Sequence, residues 1–199
     1  MLYVYIIIIS ILIGLFRKGT LSNLTQISLK RIELLILACL IQGGLVFFGT
    51  RKVKIVLDYS SYALIFSYMV LLLGVWYNKQ LKGMNIITLG IILNFAVIIA
   101  NGGHMPVLLS SLYRVGLDDF ALILKEGSYV THTLITEKTL CAFLADVIPL
   151  SSPFPDSSVI SFGDFLMFCG VFSLIQNAML KKEQKSDARI QKSEENSNM

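Results

Sequence analysis

Ile32–Thr50 reads IELLILACLIQGGLVFFGT, and its one charged residue, Glu33, stands next to the start. The hydrocarbon core of a bilayer is about 30 Å thick. At about 1.5 Å per residue, a helix needs about 20 mainly apolar residues to cross it. This run meets that need. Working outward, four more runs qualify or come close: Leu2–Phe16, Tyr62–Tyr77, Met84–Ala100 and Asp164–Leu180. Leu2–Phe16 and Tyr62–Tyr77 are short, a gap that bilayer thinning or flanking tyrosines can close. Tyr3 and Tyr5 at one end of the first run, and Tyr59, Tyr62, Trp76 and Tyr77 around the third, stand where an interfacial aromatic belt would.

The composition agrees. Of 199 residues, 55% are hydrophobic and 15% charged, with a mean hydropathy of +0.71. A soluble chain carries about 25% charged residues, so most of this one avoids water. The length fits one polytopic domain over residues 1–180. The tail, residues 181–199, is polar and mixed in charge, and is expected to be disordered and cytosolic. A net charge of +4 without a basic patch interleaved with aromatics excludes a nucleic-acid partner. No internal repeat favours an inverted-repeat transporter. Cys39, Cys141 and Cys169 lack CxxC spacing and read as small buried hydrophobes.

Orientation follows from the bases. The first apolar run precedes Arg17 and Lys18, the reverse of a signal peptide. It reads as an uncleaved anchor with its N-terminus outside. Eleven of the 17 basic residues then lie inside, while Arg51, Lys52 and Lys54 run against the trend. The expected fold is an all-α membrane protein with five transmembrane helices and a partly helical extracytoplasmic cap between helices four and five.

The cap covers Asn101–Phe162, where acids outnumber the bases Arg114, Lys125 and Lys138. It is too long for a turn and too apolar for a disordered loop. Val107–Leu109, Phe120–Leu124 and Leu140–Leu144 are too short to span and are expected to be short helices. Pro149, Pro153 and Pro155 favour an extended return. Between helices one and two, Asn23 and Gln26 have capping-box spacing, with Ser22 as an alternative cap, so a short interfacial helix is expected.

Polar groups inside membrane helices are costly, which singles out Gln42, beside Gly43 and Gly44, and Asn94. Glycines that allow close approach and amides that bond across helices are the structural explanation. Helix four ends in Asn101-Gly102-Gly103-His104-Met105-Pro106. Two glycines free the backbone to turn and the proline stops the helix. His104 at that turn, and His132, could hold a proton or a metal ion, though no HxxxH or HExxH spacing supports a metal site. Asp146 precedes the prolines. Ser161 and Asp164 have capping-box spacing before an apolar run, and Asp164 could instead pair with Arg114. No hydrolase triad, phosphate loop or paired-carboxylate motif is present.

Three stretches carry a family resemblance. They are Arg17-Lys18-Gly19 with Leu21 and Asn23-Leu24, leading into Leu40-Ile41-Gln42; Asn101-Gly102-Gly103-His104-Met105-Pro106-Val107; and Asp146-Val147-Ile148-Pro149-Leu150 with Ser161-Phe162-Gly163-Asp164. On these the chain resembles the bacterial membrane-protein family called domain of unknown function 5317. The resemblance implies a small bacterial inner-membrane protein, commonly of Gram-positive cells, and no particular activity.

The residues then suggest a non-enzymatic binding or accessory protein. Asn101, His104, Arg114, His132, Asp146 and Asp164 would line an outer site for a lipid headgroup, a small ligand or a partner membrane protein. Arg114 would favour an anionic group. The alternative is a membrane enzyme acting on a lipid-linked or envelope substrate, with His104 or His132 as base. No cofactor is expected beyond, in that alternative, a divalent metal ion.

Overall fold

The computed structural model describes residues 2–127, 129–151 and 156–180; the tail, Pro153 and Pro155 lie outside them. Five helices make the body: α1 (Leu2–Phe16), α3 (Ile32–Gly49), α4 (Lys54–Trp76), α5 (Met84–Ala100) and α8 (Phe162–Met179). A single turn, α2 (Leu21–Leu24), follows α1. By length and composition α3, α4 and α8 can each cross a membrane, while α1 and α5 are shorter apolar helices.

The helices form because long apolar runs satisfy every internal backbone group without water. Unlike a soluble bundle, they are apolar on the outside and admit polar groups among the apolar residues inside. Ser10, Ser67, Asn78 and Asn94 are at most 2% exposed, while Leu40 is 67% and Phe47 52% exposed. Cys39, Cys141 and Cys169 are free and exposed, not buried as expected: Cys39 and Cys169 stand on apolar helix exteriors, which accept them as readily as a core would, and Cys141 lies in the loop before a 3-10 turn.

Contacts set the directions. Gln42 of α3 bonds Ser67 of α4, Tyr68 stacks on Phe95 of α5, and Ser10 of α1 accepts from Gln176 of α8. The closest packing joins α5 to α8, which run antiparallel. A Cβ on Gly163 would come 2.7 Å from the Gly90 carbonyl oxygen, and one on Gly170 3.0 Å from that of Gly83. Glycines seven residues apart on each helix thus let two backbones touch. Gly43 and Gly44, expected to do this beside Gln42, have open space around them. Gln42 reaches Ser67 without help from them.

Two boundaries differ from the hydropathy reading. α4 starts at Lys54, eight positions before Tyr62, because the turns carrying Lys54 and Asp58 are helical though not apolar. α2 starts after Thr20 with no side-chain cap, so the Asn23–Gln26 capping box does not form. Asn23 instead donates to the Met179 carbonyl of α8.

The segment 101–161 folds onto one end of the bundle. Met105, Val130 and Leu144 pack there against Leu45, Leu64 and Val97. It is not all helical. β1 (Met105–Val107) pairs in parallel with β2 (His132–Leu134), and β3 (Ile148–Leu150) pairs antiparallel with β4 (Ser158–Ile160). Helices α6 (Leu109–Arg114) and α7 (Asp118–Lys125) fill the space between. So Phe120–Leu124 is helical, Val107 is strand, and in the third patch only Ala142–Leu144 is helical, as one 3-10 turn. Three-residue strands are too short for an alternating pattern, so partners distant in sequence decide them.

Candidate functional site

α5 ends in a double-glycine turn. Gly102 and Gly103 have φ of 70° and 86°, and the Gly103 amide bonds the Ile98 carbonyl. One glycine suffices for such a cap. The second is needed because a Cβ at Gly103 would lie 2.8 Å from the Cα of Ser61 on α4. This turn throws β1 across the end of the bundle. β1 is then flanked by β2 on one side and by Asp146 on the other, through a parallel bridge to Val107. His132 and Asp146 thereby meet, with Nε2 3.4 Å from Oδ2.

Below them lies a cavity of about 190 Å³. Gln42, Tyr68, Asn94 and Asp164 line it from the bundle, and Thr131, His132 and Asp146 from the folded segment. Its walls hold two carboxyl groups and no lysine or arginine.

Each polar group has a fixed place. The Ser161 side chain accepts from the Asp164 amide, and the Asp164 carboxylate accepts from the Ser161 amide, completing the expected capping box of α8. Asn94 Nδ2 donates to Asp164 Oδ1 at 3.0 Å, and Ser161 Oγ donates to Asn94 Oδ1 at 2.8 Å. The close α5–α8 packing is what lets one amide serve both partners. The Tyr3 hydroxyl also donates to Asp164 Oδ1, at 3.4 Å. His132 stands against Phe120 and Tyr129, with ring centroids 5.9 and 5.6 Å away. With its Nε2–H facing Asp146, its Nδ1 accepts from the Thr131 hydroxyl at 2.8 Å.

Asp146 is the exception. Its side chain is 7% exposed, and Oδ1 is buried with no hydrogen-bond partner among the described residues. Burial pushes its carboxyl above the ordinary range. The hydrogen bond and charge of His132 pull the other way, and the Asp164 charge adds to the rise. An unsatisfied buried carboxylate oxygen costs more than the 1–3 kcal/mol or so of a neutral group, so its persistence wants a reason.

The structure thus brings together Gln42, Asn94, His132, Asp146 and Asp164. Sequence reasoning missed Tyr68 and Thr131, which read as ordinary helix and loop residues, and the role of Ser161 as a link to Asn94. Three expected residues stand elsewhere. Asn101 holds the neighbouring loop, with Nδ2 on the Leu140 carbonyl and Oδ1 accepting from the Leu140 amide. His104 lies outside the cavity lining, and its partial burial holds the imidazole below its usual pKa. Arg114 is exposed at the end of α6. It makes no pair with Asp164, whose carboxylate is taken by Asn94, Ser161 and Tyr3. Arg114 is not among the residues that line the cavity. Among the described residues, no group of three or more His, Cys, Asp or Glu is placed to hold a metal ion.

The sequence model of the family of unknown function (DUF5317) matches residues 26–176, a span that takes in every residue lining the cavity. An uncharacterized protein of Thermotoga maritima is 34% identical over 130 residues, which is 65% of this chain and 71% of that protein. No solved structure matches the chain.

Proposed function

This chain belongs to the family of unknown function DUF5317, and from its cavity we propose that it is a multi-pass membrane protein that binds a small ammonium-bearing ligand without transforming it. The observation that carries the reading is Asp146 Oδ1, buried and unpartnered in a cavity with a second carboxyl group and no basic side chain but His132. An ammonium group supplies the missing donors and the missing charge. The Tyr68 ring adds a face on which a cation is favoured. A volume near 190 Å³ suits a primary amine or the ethanolamine end of a lipid headgroup.

In this reading all five long helices span the bilayer of a bacterial cell. The 101–161 segment is an extracytoplasmic cap, and the N-terminus lies on the same side. Tyr59 and Tyr62 at one end of α4, and Trp76 and Tyr77 at the other, are exposed as an aromatic belt would be.

Thermal unfolding of the detergent-purified protein at pH 8 tests the ligand class. Ethanolamine and methylammonium should raise the unfolding temperature, and ethylene glycol should not. Asp146→Asn should abolish the rise. An equal effect of the neutral diol, or stabilisation by phosphate instead, would overturn the reading.

One observation favours an enzyme. Thr131, His132 and Asp146 form a hydroxyl–imidazole–carboxylate chain, the order in which a base activates a nucleophile. A fluorophosphonate probe that labels Thr131, and fails to label it in His132→Gln, would establish that reading.

A further inference from the structure

At the end of the bundle opposite the cap lies a larger cavity, about 740 Å³. The amine-binding reading makes no use of it. Its lining contains Arg17, Lys30 and Lys82 and no acidic residue. The acid nearest in sequence to these lysines, Glu33, pairs with Arg31, outside the lining. Bases at this end of the helices are expected from orientation alone. Their convergence on one cavity is not, because the three come from three different linkers.

Each is held there by a specific constraint. Arg17 Nη1 donates to Gln176 Oε1 at 3.0 Å, and Gln176, 5% exposed, is itself fixed by donating to the Ser10 carbonyl. That leaves the other guanidinium N–H groups to face the cavity. The backbone of Lys30 is clamped from both sides by Asn78, which is fully buried: Oδ1 accepts from the Lys30 amide and Nδ2 donates to the Lys30 carbonyl, both at 2.8 Å. Lys82 precedes Gly83, whose φ of 93° lays the linker on α8, where a Cβ would lie 2.7 Å from the Leu174 amide nitrogen. Gln26 and Gln80 add amide side chains. Ile27, Leu81, Leu174 and Leu180 make an apolar wall.

We infer that this cavity is a second binding site, for a phosphate group, with Arg17, Lys30 and Lys82 as its three cationic contacts. Planar guanidinium and mobile ammonium groups together suit a tetrahedral dianion or a phosphodiester. The phosphate could belong to an anionic lipid headgroup, with the apolar wall against its glycerol, or to a free phosphate ester.

Native mass spectrometry of the full-length protein in mixed micelles tests this. The probes are phosphatidylglycerol, phosphatidylcholine and free glycerol 3-phosphate. Phosphatidylglycerol should be retained over phosphatidylcholine. Lys30→Gln/Lys82→Gln should lose that preference roughly tenfold. Lys18→Gln/Lys79→Gln, which removes the same charge at the same end but outside the lining, should keep it. Displacement by glycerol 3-phosphate would assign the site to a free ester, and its failure to a lipid. Equal loss in both double variants would overturn the site, as would no retention of any phosphate probe. If the first double variant does not fold, the selectivity of the unaltered protein between the two lipids decides, and equal retention of both overturns the inference.

Discussion

Asp146 Oδ1 is where the cost of a function would be expected to show. A carboxyl whose folded pKa is raised is least costly while protonated. Its burial is harmless below the unfolded value, near 3.9, and becomes destabilising as pH rises through the folded value. Asp146→Asn cannot ionise. In the absence of ligand it should therefore unfold at a higher temperature than the parent at pH 8, by a few degrees for about 1–2 kcal/mol. The gap should close as the pH falls below about 4. Thermal scans across that range check the sign, and a gap that widens in acid would refute it. Asn94 predicts the opposite. Asn94→Leu removes the acceptor of the Ser161 hydroxyl and one of the two side-chain donors to Asp164 Oδ1 and should cost about 1–3 kcal/mol, read as a lower unfolding temperature. Asn94 was legible in the sequence as a costly polar position inside a helix, and Asp146 as a candidate site residue of the outer segment. Their partners were not, since Asn94 and Asp164 stand 70 positions apart.

At the scale of elements, the glycines separate into two kinds that sequence does not distinguish. Gly163→Ala puts a methyl 2.7 Å from both the Asn94 Cγ and the Gly90 carbonyl oxygen. It must push α5 from α8, and about 1–3 kcal/mol of destabilisation is expected. Gly43→Ala meets nothing within 4 Å and should gain up to about 1 kcal/mol from helix propensity. Unfolding temperatures of the two variants should move in opposite directions. The apolar runs alone located the five long helices to within a few residues, except at α4, where the polar first turns hid the start. The capping box of α8 was legible because it is local, with donor and acceptor three residues apart.

For the molecule as a whole, the prediction concerns sidedness. In a variant lacking Cys39, Cys141 and Cys169, single cysteines at Ser22, Lys52, Lys79 and Glu137 can be probed in intact cells with a membrane-impermeant thiol reagent. Lys52 and Glu137 belong to the cap end, and Ser22 and Lys79 to the end that carries the larger cavity. Labelling of the first pair alone is expected. Labelling of the second pair alone would turn the cavity beside Asp146 toward the cytosol.

Hydropathy, charge placement and local motifs determined that this chain is a bundle of apolar helices, with a folded segment between the last two. Those properties follow from transfer of side chains out of water and from hydrogen bonds closed within a turn, and both are written in neighbouring residues. Which polar groups share a cavity was decided by tertiary structure. β1 had to cross the bundle end for His132 to reach Asp146, and α5 had to touch α8 for Asn94 to reach Asp164. Arg17, Lys30 and Lys82 converge only because buried amides and one glycine turn fix three linkers on one wall. Such contacts depend on backbone approach between distant segments, and nothing local in the chain encodes that distance.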